Sequence, residues 1–233
     1  MSHRRARTTV LALVLLLAPV VTACSSEPEE SATDLLDRAR TTLDEAATAH
    51  FVLDSEGAPS TGTTLVGGEG DIARPASFAG VLEVTALGGT IEVDVVSVDG
   101  TVYAQLPFAQ SYSVVDPAQF GVGDPGALLD PDTGISQLLA GAQEAALGEE
   151  RRVDGEVVRE VTATIPGDLV EQVLTSQDPA QDVRARMSIA TGSGQLREVE
   201  LTGPFFSADA DGTYTVALSD LGADVQISAP PTS

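Results

Sequence analysis

A chain that does chemistry with its side chains needs a nucleophile, a base or a set of metal ligands, and this sequence is sparing with all three. Its one thiol is Cys24, and its histidines are His3 and His50. No Ser-His-Asp arrangement can be assembled around His50 with spacing to support it, and no Gly-x-Ser-x-Gly elbow occurs. His50 reads as a boundary residue at the start of the first strand. Among 35 acids a catalytic pair can always be nominated, and linear sequence does not bring two of them into one cleft. Asp209-Ala210-Asp211-Gly212 resembles part of a calcium loop. With Ser207 at position one, however, Leu218 falls where the bidentate Glu should stand, so the segment reads as an Asp-Gly turn. There is no His/Cys cluster for zinc, and without a lysine a phosphate loop ending in Lys is impossible. The reading is non-enzymatic, with no cofactor and no metal.

Covalent chemistry is expected at Cys24. His3, Arg4, Arg5 and Arg7 precede an apolar run, Val10 to Val21, which is the layout of an export signal. The run is well short of the roughly 20 residues of a membrane span, and Pro19 argues further against one. Val21-Thr22-Ala23-Cys24 resembles the bacterial lipobox, an aliphatic and two small residues before an obligatory Cys. By that resemblance the Cys24 thiol is alkylated with diacylglycerol, cleavage makes it the first mature residue, and its amine is acylated. Residues 1–23 are thus a signal peptide, 24–30 a polar acidic tether, and 31–233 one domain.

Composition narrows the partners. With a single cysteine no intramolecular disulfide is possible, so burial alone must hold the core, and 42% hydrophobic residues can supply it. From residue 24 onward the chain has nine arginines, no lysine and all 35 acids, a formal charge of −26. Such a chain is repelled by nucleic acid, which is excluded as a partner. The absence of lysine beside abundant Ala, Gly and Val points to a G+C-rich genome, such as an actinobacterium.

The elements follow from periodicity. Residues 32–49 read as a helix with Leu35, Leu36, Ala39, Leu43, Ala46 and Ala47 on one face and Thr33 as its cap. From His50 onward alternation of period two dominates: Phe78/Leu82/Val84, Ile91/Val93/Val95 and Val102/Ala104/Leu106. It returns at Val157/Val161/Ala163/Ile165, Ala185/Met187/Ile189, Val199/Leu201 and Tyr214/Val216/Leu218. Clean alternation marks antiparallel strands with one wet face. Asp99-Gly100, Asp154-Gly155 and Asp211-Gly212 read as two-residue hairpin turns, and residues 191–194 as another hairpin loop. Helices are expected at 134–147, with Ile135, Leu138 and Leu139 inward, and at 168–174. Residues 108–133 form a Pro/Gly/Asp-rich loop of the kind that serves as a lid or mouth. The fold class is α+β, a curved antiparallel sheet with helices on one face. The aliphatic face between them is either close-packed core or the lining of a cavity.

Several segments in order resemble the LppX/LprAFG family of mycobacterial and actinobacterial lipoproteins. They are the lipobox, residues 98–106 (Val-Asp-Gly-Thr-Val-Tyr-Ala-Gln-Leu) and 112–117 (Tyr-Ser-Val-Val-Asp-Pro). They continue with 130–139 (Asp-Pro-Asp-Thr-Gly-Ile-Ser-Gln-Leu-Leu) and 153–155 (Val-Asp-Gly). One departure is Met187-Ser188-Ile189, where a Trp-containing strand is expected, a change that would alter a cavity wall. The resemblance implies a half-barrel wrapped against helices around a hydrophobic cavity, similar to bacterial lipoprotein-carrier folds. It further implies transport of lipids across the cell envelope: acylated phosphatidylinositol mannosides and lipoarabinomannan, triacylglycerol or phthiocerol dimycocerosates.

On that basis the cavity is expected to be lined by Phe78, Leu82, Val84, Ile91, Val93, Val95, Val102, Leu106, Ile135, Leu138, Leu139, Val161, Ile165, Met187 and Ile189. Exposing one long acyl chain costs on the order of 10 kcal/mol, at about 0.8 kcal/mol per methylene, so a cavity can carry lipid with no catalytic group. The expected partners are a di- or triacylated lipid or glycolipid, the membrane through acylated Cys24, and a membrane lipid exporter. The protein is expected as a monomer on the outer face of the cytoplasmic membrane. The alternative is an accessory lipoprotein that scaffolds a transporter or wall enzyme without carrying lipid.

Overall fold

The computed structural model describes residues 30–232 except 87, 121 and 154. The expected signal peptide, Cys24 and the expected tether before Glu30 lie outside the described residues. Alternation of period two shapes most of the chain. Eleven strands form one sheet: β1 (Thr48–Glu56), β2 (Thr64–Ala73), β3 (Ser77–Ala86), β4 (Gly89–Val98), β5 (Thr101–Gln105), β6 (Ser113–Val115), β7 (Gln143–Val153), β8 (Glu156–Ile165), β9 (Val183–Ala190), β10 (Leu196–Ser207) and β11 (Ala210–Ser219). Their order is β6-β5-β4-β3-β2-β1-β11-β10-β9-β8-β7, antiparallel at every junction.

The described chain therefore starts and finishes its strands at the middle of the sheet, where β1 pairs with β11 from His50↔Ser219 to Glu56↔Thr213. The two edges, β6 and β7, are consecutive in sequence. Residues 116–142 must cross from one edge to the other, and they do so over the inner face of the sheet. The sheet does not close. Its long edge β7 has two register shifts and the charged run Glu149-Glu150-Arg151-Arg152, which discourage pairing with another chain.

Three α-helices lie on the inner face: α1 (Ala32–Glu45), α2 (Ile135–Ala140), which is part of this crossover, and α3 (Gly167–Val170). α1 buries Ala32, Leu35, Leu36, Ala39 and Leu43 as its 3.6-residue spacing requires. Its cap is Ser31 rather than Thr33: the Ser31 hydroxyl accepts from Asp34 N–H, and Asp34 accepts from Ser31 N–H. The outer face of β7–β10 is laced by ion pairs, among them Arg186 between Glu160 and Glu200 and Arg151 to Glu198.

Three expectations are corrected, and one strand has no pattern to read in the sequence. The helix expected over 134–147 stops at Ala140, and 143–153 form β7. Ala142, Ala145, Ala146 and Leu147 suit either period, and pairing with β8 decides for strand. Gly141 also marks the break, since a Cβ there would stand 2.2 Å from Leu169 Cδ2. The helix at 168–174 shrinks to one turn, α3. Asp211-Gly212 lies within β11, not in a turn, because a bulge in β10 moves the hairpin to residues 208–209 and seats the Phe206 ring over Gly212. Strand β2 has no clean alternation, because Gly67, Gly68 and Gly70 stand where side chains would mark it.

Those glycines have a steric reason. Gly70 and Gly80 face each other across β2 and β3, and a Cβ on either would lie within 2.8 Å of the Phe78 ring. Phe78 thus lies flat on bare backbone, with its ring centroid 5.5 Å from that of Phe51. Asp99-Gly100 closes β4–β5 as expected, with φ of 51° and 77°, as a type I′ turn requires. Gly80→Val should displace Phe78 and lower stability by about 1–3 kcal/mol, read as a lower denaturant midpoint with an unchanged m-value.

Candidate functional site: an apolar space under the crossover

The crossover carries two short 3-10 turns, Pro117–Phe120 and Pro125–Ala127, before α2. Proline fixes φ and removes a donor at the first position of each, so this segment covers the sheet without competing for its ladder. Three contacts hold it down. Asp124 Oδ1 accepts from the Ser97 hydroxyl at 2.6 Å and from Gly126 N–H at 2.8 Å. The Ser136 hydroxyl donates to Asp44 on α1. A short antiparallel bridge joins Val122 to Leu174 in the loop after α3.

Beneath this roof the layers enclose two adjoining apolar cavities. The larger, about 100 Å³, has a floor of Phe51, Leu53, Leu65, Leu82, Leu201 and Val216 and a roof from residues 122–138 and 172–174. The smaller, about 40 Å³, lies between β3–β5 and the first 3-10 turn, with Val93, Val95 and Phe120 in its wall. Leu65, Leu82, Val122 and Pro125 border both cavities. The only polar side chains on the larger one are Asp124, Thr133 and Gln172, and no described cavity residue is cationic.

The surroundings are rigid below and polar above. Tyr214 reaches from β11 across β1 to donate to the Leu65 carbonyl at 2.7 Å, and burial pushes its phenol well above the usual range. On the roof, Asp130 is held below the usual carboxylate range, first by the Asp132 N–H, then by Thr133 and the charge of Arg74, against the opposing effect of burial. This clasp contributes stability above ordinary carboxylate pKa values and loses it as pH falls through the lowered one. Among the described residues no group of three or more His, Cys, Asp or Glu could hold a metal ion. His50 sits 2.8 Å from Asp71, with no nucleophile in that pair.

The residues read as cavity lining separate into three groups. Leu82, Ile135 and Leu138 border the larger cavity; Leu82, Val84, Val93, Val95 and Val102 border the smaller. Phe78, Leu139, Val161, Ile165, Met187 and Ile189 are buried in the surrounding core but touch neither space, and Ile91 is partly buried against it. Leu106 is 51% exposed: Pro107 has no N–H for the ladder, so β5 ends at Gln105 and the alternation no longer applies. Cys24 lies outside the described residues. Sequence reading missed Phe51, Leu53, Leu65 and the roof residues Val122 and Leu174. The alternation of Phe51 with Leu53 was available as a signal; the roof has no period to read.

A family model described as "LppX_LprAFG lipoprotein" matches residues 31–227. The chain belongs to that family. Relatives called "Lipoarabinomannan carrier protein LprG", from Mycobacterium tuberculosis (strain ATCC 25618 / H37Rv) and Mycobacterium bovis (strain BCG / Pasteur 1173P2), are each 30% identical over 97% of this chain and 96% of their own. Among solved structures, LprF from Mycobacterium bovis aligns with a TM-score of 0.70 at 19% identity, covering 85% of this chain and 96% of that one. Mycobacterium tuberculosis lipoprotein LppX aligns with a TM-score of 0.62 at 18% identity, covering 84% and 98%. These likenesses agree on the unclosed, curved antiparallel sheet.

Leu82 stands between two spaces, whereas Ile189 is fully buried in the same sheet. Leu82→Ala should therefore cost about 2–3 kcal/mol, toward the lower end for such truncations, and Ile189→Ala should cost more. Paired denaturant titrations measure the difference.

Proposed function

We propose that this lipoprotein is a non-enzymatic carrier that holds the acyl chains of a lipid or glycolipid between its sheet and roof and moves it across the cell envelope. One observation supports this most: an apolar space with a polar rim, lined on both sides and continuous in its walls, in a chain 30% identical to proteins named as lipoarabinomannan carriers. Acylated Cys24 anchors the domain at residues 31–233 to the outer face of the cytoplasmic membrane. The acidic tether lets the domain reach its ligand and a lipid exporter. It acts as a monomer.

Volume sets a condition on this reading. A cavity of about 150 Å³ accommodates benzene, so about 100 Å³ cannot take a long acyl chain until the roof lifts. The same small volume is the observation that favours the alternative, a scaffold that carries no lipid. Val122 and Leu174 are antiparallel partners across the roof, with the Cβ spacing of about 4.5–5.5 Å typical of such pairs. The double variant Val122→Cys/Leu174→Cys should lock the roof when oxidised.

In vesicle-to-vesicle transfer of a fluorescent diacyl lipid, the anchored wild type should exceed protein-free vesicles several-fold. The oxidised double variant should fall to that background and recover on reduction. A wild type at background, with folded protein, rejects the carrier in favour of the scaffold. Cys24→Ala should leave the fold intact and move the chain from the detergent phase to the aqueous phase. Partitioning equal to wild type would remove the anchor from this account.

A further inference from the structure

Four large apolar side chains are exposed among the described residues, and three of them stand close together in the chain: Leu106, Phe108 and Val114. The fourth, Leu147, lies beside the charged run Glu149-Glu150-Arg151-Arg152 on β7. The first three have no such neighbours in sequence. Residues 100–115 contain no Asp, Glu, Arg or His, in a chain that is 20% charged.

Phe108 occupies a position that folding alone would give to glycine. Ala109 N–H donates to the Leu106 carbonyl at 3.0 Å, closing a turn with Pro107 second and Phe108 third, and Phe108 has a φ of 71°. This is a type II turn, whose third residue needs the left-handed region and is usually Gly or Asn. A bulky aromatic is disfavoured there, and this one returns nothing to the core, because it is fully exposed. The loop is nonetheless held in place. The Gln105 side-chain amide donates to the Ala109 carbonyl at 2.9 Å, and Tyr112 at the far end bridges to Thr232.

Size and polarity set what such a tip fits. Its three side chains fall well short of the roughly 1,200 Å² that a stable protein interface buries, and without charges it gives a protein partner little to recognise. A bilayer demands neither. Hydrocarbon accepts an apolar tip in any register, and the interfacial region favours tyrosine, apolar in body and polar at its end. Tyr103 and Tyr112 flank the loop, and Tyr103 is the cross-strand partner of Val114. The expected tether joins elsewhere. Glu30 is held by Arg38, which also donates to the Thr191 carbonyl in the β9–β10 hairpin, at the other end of the strands.

We propose that the β5–β6 loop, residues 106–112, docks on a phospholipid bilayer by inserting Phe108 and Leu106 at the interface, with Val114 beside them. Val102, Ala104 and Val115, on the two strands that carry the loop, wall the smaller cavity, so docking brings that wall against the lipid surface. The proposal is independent of the carrier reading, since a scaffold that carries no lipid would dock by the same loop.

The chain has no tryptophan, so Phe108→Trp in the full acylated chain supplies a single reporter and keeps an aromatic side chain on the turn. The protein is studied in phosphatidylcholine vesicles, with brominated phosphatidylcholine as quencher in those vesicles and in added acceptor vesicles. Emission from position 108 should shift to the blue and be quenched several-fold more than emission from Leu147→Trp, the exposed apolar site beside charges. Val114→Trp should behave like position 108. Adding Phe108→Gly, which suits the turn and keeps the fold, should return it to the level of Leu147→Trp. Position 108 quenched no more than position 147 overturns the proposal. A blue shift without quenching overturns it as well, by assigning the tip to a second copy of the chain.

Discussion

The ladder between β1 and β11 is the constraint on which the rest of the molecule depends. It joins the first and last strands side by side, so each half of the sheet grows outward from the middle. The two outermost strands are then neighbours in sequence, and 27 residues of connection must span the whole sheet. That connection has one compact route, across the inner face. A meander laid out from one edge to the other would have needed no such bridge, and its inner face would have depended on helices alone. The roof is thus a consequence of topology, and the space beneath it a consequence of how loosely a Pro- and Gly-rich connection can track a curved floor.

Floor and roof are held by different kinds of interaction. The floor is a continuous hydrogen-bonded sheet, stiffened by the Tyr214–Leu65 bond across β1 and by Phe78 packed on Gly70 and Gly80. The roof is held by a carboxylate on Ser97, a hydroxyl on Asp44 and one isolated bridge. Local opening is cheapest where few buried contacts and few backbone bonds must break. The energetic contrast therefore assigns movement to the roof and shape to the sheet. It also separates the roles of charge: the arginines lace the outer face and α1, and the cavity is left to aliphatic side chains.

The sheet was legible because one of its faces is wet. Period-two alternation in β3, β4, β8 and β9 identifies the inward residues Leu82, Val93, Val161 and Met187 without any tertiary information. Where side chains are missing or serve two periods the reading fails. β2 is hidden by its glycines, and the alanines before Leu147 fit a helix as well as the edge strand they form. The cavity was legible only in part. Alternation tells which side chains face inward, not which inward side chains meet their neighbours and which face a gap. Met187 and Ile189 face the same way as Leu82, yet they are close-packed in the core beneath α1 while Leu82 borders open space. That difference is set by the path of the roof, which has no period.

In a carrier of this kind the acyl chains occupy the space between roof and floor. Methyl NMR of the protein with a diacyl lipid spin-labelled along one chain locates that chain directly. Strong paramagnetic broadening of the Leu82, Ile135, Leu138 and Leu201 methyls is expected, with Val81 and Val96 on the outer face unaffected. Broadening confined to the outer face, or none at saturating lipid, would contradict it.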